Sequence, residues 1–119
     1  MDALRKRVGV KSTSPYAPVM RLDPATSLLA VIDVQERLLA AMPDADRVVS
    51  RCTRLAEAAA LLGVRTVLTE QYPQGLGPTP RDLAAKLPAA ATKMSFSCCG
   101  CGGFDASLAA DVAGVVLAG

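Results

Sequence analysis

Apolar residues arrive along this chain in short unbroken bursts separated by longer stretches of mixed character, and the two patterns alternate. Ser27–Ile32 carries apolar residues at consecutive positions, without the every-second-residue alternation of a half-exposed strand. That pattern predicts a strand covered on both faces. Residues 44–62 then place Val48, Leu55, Ala59 and Leu62 at helical spacing, with Gly63 standing where a C-cap would. Residues 64–69 predict a second strand. Thr79 or Pro80 opens a short helix that runs to Leu87 and is closed by Pro88. Residues 89–92 predict a third strand, residues 103–111 another short helix, and Gly114 turns the chain into a last strand over residues 115–118. Strand and helix in strict alternation predict right-handed βαβ crossovers in a mostly parallel sheet with helices on both faces. This is a three-layer α/β/α, Rossmann-like α/β fold.

Each apolar burst ends in polar residues suited to chemistry. The first runs into Asp33, the second into Glu70-Gln71-Tyr72 and the third into Lys93. In an open parallel sheet that end of the strands is where ligands sit. The connection Tyr72-Pro73-Gln74-Gly75-Leu76-Gly77-Pro78 has two prolines that restrict the backbone and two glycines that permit positive φ. It reads as a shaped loop lining a pocket, or as a plain surface crossover. Its glycines are not followed by Lys and Ser or Thr, so a phosphate loop is a poor reading. Asp33 and Lys93 each terminate a mainly apolar strand, where an unpaired charge costs several kcal/mol and a paired one is tolerated. They are therefore expected at adjacent strand ends, within direct or single-water contact. Such a pair either ties two strands together or acts chemically, with Lys93 stabilising an anionic nucleophile and Asp33 moving protons. The pair itself lacks a nucleophile.

Composition narrows the picture. At 119 residues the chain supports one domain with a core, though it is short for a doubly wound sheet. It is 51% hydrophobic with 3% aromatic residues, which favours a buried sheet under small-residue helices over an aromatic-rich sandwich. Thirteen basic against eleven acidic residues leave a net charge of +2, too little to argue for nucleic acid or an anionic membrane as partner. Residues 1–26 form an N-terminal extension, with Arg5, Lys6, Arg7 and Lys11 preceding Ser12-Thr13-Ser14-Pro15. It is either a targeting or polyanion-binding arm or a solvated extension. Val8-Gly9-Val10 is too short for the apolar core of a secretory signal, and no apolar stretch approaches the roughly 20 residues of a membrane span, so a cytoplasmic location is expected. Of four cysteines, three crowd into Cys98-Cys99-Gly100-Cys101, and the chain has no His. Neither a structural zinc, which takes about four N or S ligands, nor any other cofactor is expected. Cys98 and Cys101 form a C-x-x-C that reads as a redox pair, a soft-metal clip or simply small residues in a tight turn.

Three segments carry a resemblance to a known family. Leu29-Ala30-Val31-Ile32-Asp33-Val34-Gln35, the run Leu68-Thr69-Glu70-Gln71-Tyr72-Pro73-Gln74-Gly75-Leu76-Gly77-Pro78-Thr79, and Lys93-Met94-Ser95-Phe96-Ser97 resemble the isochorismatase-like cysteine hydrolases, in particular their isochorismatase domain-containing branch. The resemblance covers residues 27–119. It implies a small-molecule substrate and a Cys-Asp-Lys triad in which Asp33 is the acid/base and Lys93 the lysine. Gln35, Glu70, Gln71 and Tyr72 are the expected substrate-binding residues. Members of that family cleave nicotinamide, carbamoylated amines or a vinyl ether, and the absence of His argues against the metal-binding pocket that its nicotinamidases use. The family's cysteine lies at the N-terminus of the helix after the fourth strand, a few residues beyond the position matched by Gly119.

The expectation is accordingly of an N-terminal part of such a hydrolase, its fold incomplete at the C-terminus and its nucleophile outside the 119 residues. A sheet ending at residues 115–118 would expose strand edges and helix-packing surface, so the isolated chain is expected to form a homo-oligomer, aggregate or melt at low temperature. Cys98, Cys99 and Cys101 follow the lysine segment and do not match the family's cysteine. The alternative is a non-catalytic protein, either a truncated binding module or a thiol-based redox or metal-binding protein using Cys98 and Cys101.

Overall fold

Five of the six residues of Ser27–Ile32 are buried, and the continuous apolar run puts this strand, β1, in the interior of the sheet. The computed structural model describes residues 21–119; the basic residues Arg5 to Lys11 and most of the N-terminal extension lie outside them. After β1 come α1 (Glu36–Ala40), α2 (Ala45–Leu62), β2 (Arg65–Gln71), α3 (Pro73–Leu76), α4 (Arg81–Ala84), β3 (Ala91–Lys93), α5 (Gly102–Ser107) and β4 (Gly114–Ala118). The four strands form one parallel sheet in the order β3-β2-β1-β4, with Ala30 opposite Val67 on one side and Leu117 on the other.

That order places a switch point at β1. The chain moves from β1 through β2 to β3 in one direction, then crosses back to lay β4 on the other side of β1. Because crossovers of one hand put their helix on opposite faces when the direction reverses, the helices separate. One apolar cluster joins Leu29, Val31 and Leu68 of the sheet to Cys52, Ala56 and Ala59 of α2 and Leu83 of α4. The other joins Leu28, Ala30 and Val67 to Cys101 and Phe104 at α5. The sheet thus has helices on both faces, as the alternation predicts.

Local differences from the sequence reading have physical causes. Gly63, at φ +69, ends α2 with the amides of Gly63 and Val64 bonding back to Ala60 and Ala59, so Val64 belongs to the helix stop and β2 starts at Arg65. At its other end β2 continues through Glu70 and Gln71, because β3 pairs with it there, Glu70 opposite Thr92 and Gln71 opposite Lys93. Pro80 occupies the N-cap position of α4, not its first turn, and that helix ends at Ala84. Both α1 and α3 are short helices without a long apolar period, and the sequence pattern does not disclose them.

The core-facing side of α2 agrees with expectation at Ala59, which is buried, and at Val48, which packs against the core, and differs at Leu55 and Leu62. Its buried residues are Cys52, Ala56 and Ala59, whose small side chains let the helix lie close to the sheet, whereas Leu55 and Leu62 remain 40% and 64% exposed. Val48 and Leu55 line a groove between α2 and Ala118-Gly119 at the end of β4. On β4, Val115 and Leu117 stay open on the other face.

Burial decides which leucines matter. Leu68, at 2% exposure between two packed layers, should on replacement by Ala lower the unfolding free energy by about 2–5 kcal/mol. The same change at Leu61, 88% exposed, should stay within about 0.5 kcal/mol, both read from equilibrium urea unfolding.

Candidate active site

The polar residues at the strand ends meet at the switch point, and Asp33 is the first to be fixed. Its amide donates to the Thr69 carbonyl at 3.1 Å, extending the β1–β2 ladder by one residue. The chain then leaves the strand with Asp33 at φ +51, a left-handed conformation that Asp tolerates better than most side chains. Thr69 from β2 donates its hydroxyl to Asp33 Oδ1 at 2.9 Å. Lys93, the last residue of β3, donates from Nζ to Asp33 Oδ2 at 2.7 Å. The expected contact is therefore direct, but the strands involved are not adjacent: β2 lies between β1 and β3, and the lysine reaches across it.

The surroundings explain how two charges persist there. The Lys93 side chain is 2% exposed and that of Asp33 14%. An ammonium has three hydrogens, and the other two acceptors are the carbonyls of Ser95 at 3.1 Å and Phe96 at 3.0 Å. Each carboxylate oxygen has a donor as well. The pair is thus desolvated yet fully hydrogen-bonded, the condition under which buried charges are tolerated. It also pins the segment after β3, because the lysine holds two backbone carbonyls of that segment.

Gln35 and Glu70 brace the adjoining loop. Gln35 is fully buried; its amide nitrogen donates to the carbonyls of Gln71 at 2.9 Å and Gly77 at 2.8 Å, and its amide oxygen accepts from the Gln71 N–H at 2.8 Å. Glu70 Oε2 accepts from both the backbone N–H and the hydroxyl of Thr79, at 2.6 and 2.8 Å. Both side chains are engaged in holding the loop over residues 72–79. Tyr72, at φ +39, donates its N–H to the Lys93 carbonyl at 2.8 Å, and its ring stacks over Gly75, where a larger residue would push the ring aside. Tyr72 is 47% exposed, and Gln71 is half-buried beside it. The loop is therefore shaped, as its prolines and glycines suggest, and it includes a helical turn in α3.

Thr69 and the carbonyls of Ser95 and Phe96 complete the site without having been singled out in the sequence. A threonine inside an apolar run reads as a β-former, and backbone acceptors carry no side-chain signal. The four cysteines are free thiols. Cys52 faces the α2 side of the sheet, where burial pushes its thiol up from its ordinary value. Cys101 is buried on the opposite side, its Sγ 3.7 Å from the Thr92 carbonyl. A cleft of about 630 Å³ between α1, α2 and α4 includes neither Asp33 nor Lys93 in its lining.

A parallel α/β sheet whose switch point carries a buried lysine bonded to a largely buried aspartate at the strand ends defines a doubly wound protein with its polar centre in the usual place for that class. The family described as Isochorismatase domain matches residues 27–119, and the chain belongs to it. Isochorismatase domain-containing protein 2 of Danio rerio is 41% identical over 81 residues, covering 68% of this chain and 41% of that protein. The Bos taurus protein of the same name is 43% identical over 77 residues, covering 65% and 37%. The chain thus spans about 40% of the length of the curated relatives it matches. Among solved structures, the MAR1 ribonuclease of Caenorhabditis elegans superposes with a TM-score of 0.74 at 33% identity, covering 82% of this chain and 52% of that one. A hypothetical protein from Trypanosoma cruzi gives 0.67 at 27% identity, covering 79% and 50%.

Replacing Gln35 by Leu keeps the volume but leaves the Gln71 N–H and two carbonyls without their partner. With about 1–3 kcal/mol for each buried group left unpaired, the variant should unfold at clearly lower urea concentration. Limited proteolysis should find new cleavage within residues 72–78.

Proposed function

We propose that these residues form the N-terminal part of a cysteine hydrolase acting on a small amide, ester or related molecule through a Cys-Asp-Lys triad. Asp33 and Lys93 are two of its members, and the cysteine belongs to the sequence that follows Gly119 in the full-length protein. The observation that carries this reading is the Lys93 Nζ to Asp33 Oδ2 contact of 2.7 Å at the carboxyl ends of the strands. The register of β4 supports it: with Ala118 opposite Val31, Gly119 comes against Ile32, one residue before Asp33. Chain continuing from β4 starts beside the carboxylate. A helix N-terminus there would lower the pKa of a thiol at its start and offer amides to an oxyanion.

In the proposed reaction Asp33 takes the proton of the cysteine thiol, the thiolate attacks the substrate carbonyl, and the tetrahedral intermediate collapses to a thioester as Asp33 delivers that proton to the leaving group. Asp33 then takes a proton from water as that water attacks the thioester and returns it to the departing thiolate, which restores the free thiol and releases the acid. Lys93 stabilises the anionic partners and keeps Asp33 in place. Gln71 and Tyr72 border the substrate, while Gln35 and Glu70 act on it through the shape of the loop. The reading includes no cofactor, a cytoplasmic location and a homo-oligomer. MAR1, 33% identical, is named a ribonuclease, so RNA is the second substrate class to test.

The full-length protein should be assayed against a panel of small amides, esters and a short single-stranded RNA. Asp33→Asn and Lys93→Ala should each lower turnover on the order of 10²- to 10⁴-fold, and Cys101→Ser should change it by less than about threefold. A thioester should be trapped on a cysteine beyond Gly119, and the 119-residue polypeptide alone should show no turnover. Activity abolished by Cys101→Ser but spared by Asp33→Asn would overturn the assignment, and cleavage of RNA alone would replace the substrate class.

A further inference from the structure

The sequence Cys98-Cys99-Gly100-Cys101 folds into a β-turn, closed by the Cys101 amide donating to the Cys98 carbonyl at 3.1 Å. Gly100 stands at its third position with φ +88, the conformation that a type II turn requires of that residue. A β-turn brings its first and fourth Cα atoms within about 7 Å, and disulfides span Cα separations of roughly 4.4–6.8 Å. Both end residues join one apolar cluster, with Cys101 in the core of it and Cys98 packed against it. Both are free thiols.

The structure disfavours the other pairings of these thiols. Cys52 lies in the cluster on the opposite face of the sheet, so the sheet separates it from the turn. A bond between the neighbours Cys98 and Cys99 would force the peptide between them away from a planar trans geometry. Cys99 is exposed, outside the cluster that holds the other two.

We propose that Cys98 and Cys101 are a dithiol site that small-molecule disulfides of the glutathione type oxidise reversibly. Cys98 is less buried than Cys101, and so its thiolate meets the reagent first. It attacks one sulfur of the oxidised reagent, forming a mixed disulfide and expelling one thiolate. The Cys101 thiolate then attacks Cys98 Sγ, forms the intramolecular bond and expels the second thiolate. The two cysteines lose two electrons and two protons, and the reagent is reduced to two thiols. Oxidation bears on the neighbouring pair: it removes the S–H that Cys101 directs at the Thr92 carbonyl, one residue before Lys93. The bond also starts two residues after Phe96, whose carbonyl holds the lysine.

The test is thiol mapping by mass spectrometry after the reduced protein has equilibrated in buffers of graded reduced-to-oxidised glutathione ratio. The expected result is loss of two hydrogens from the protein, with Cys98 and Cys101 protected from alkylation, Cys52 and Cys99 still labelled, and full reversal by dithiothreitol. Cys99→Ser should form the same bond, whereas Cys101→Ser should stop at a stable glutathione adduct on Cys98. A bond that involves Cys99 or Cys52, or a lasting adduct on Cys98 while Cys101 remains free in the unsubstituted protein, would overturn the proposal. These readouts need no enzymatic turnover, so they stand or fall apart from the hydrolase reading.

Discussion

The arrangement depends on one buried ion pair that reaches across a strand. Lys93 and Asp33 come from β3 and β1, and the 2.7 Å contact passes over β2 to join them. Taking two charges out of water is unfavourable unless every hydrogen and lone pair facing the interior finds a partner. That requirement propagates outward. It calls for a hydroxyl at Thr69 and two carbonyls turned inward at Ser95 and Phe96, and the chain must leave β1 with Asp33 in a left-handed conformation. A change at any of these points leaves a charge short of a partner, so the site is a single unit that extends well beyond its two ionised groups.

Topology explains why these groups meet at all. Running β1, β2 and β3 in sequence lines up their carboxyl ends on one edge, and the return crossover to β4 opens a gap beside β1. The helices on the two faces keep water from the strands but leave that edge open. Residues that were only the last polar position of an apolar burst thereby become neighbours.

The same logic determines what could be read in advance. Strand identity was legible because β1 is covered on both sides and cannot alternate, and Asp33 and Lys93 were legible because charges at the ends of such runs must be paired. The helix α2 was legible in extent but only partly in orientation, Ala59 and Val48 lying on the expected face and Leu55 and Leu62 off it. Small residues at Cys52, Ala56 and Ala59 make the closest approach to the sheet, whereas the larger Leu55 and Leu62, which dominate a hydropathy reading, stay at the margin. Gln35 is expected from the sequence to bind substrate; its side chain bonds to the backbone of Gln71 and Gly77, and a bracing amide and a ligand-binding amide look identical in sequence. Likewise α1 and α3 arise from tertiary contacts, such as the Glu36 amide on the Pro78 carbonyl, which no local pattern encodes.

Gln35 has a consequence for how the protein opens. Its hydrogen bonds join points 36 and 42 residues apart in the chain, so they act as a non-covalent cross-link between the end of β1 and both ends of the turn that follows β2. A surface loop ordinarily fluctuates open on its own, with little free energy separating its closed and open forms. Here opening the loop means stripping a fully buried amide from the central strand's exit, so loop motion and disruption of the sheet become one cooperative event. The segment bordering the site is thereby drawn into the most protected part of the molecule, and its amides should exchange with solvent on the timescale of the core.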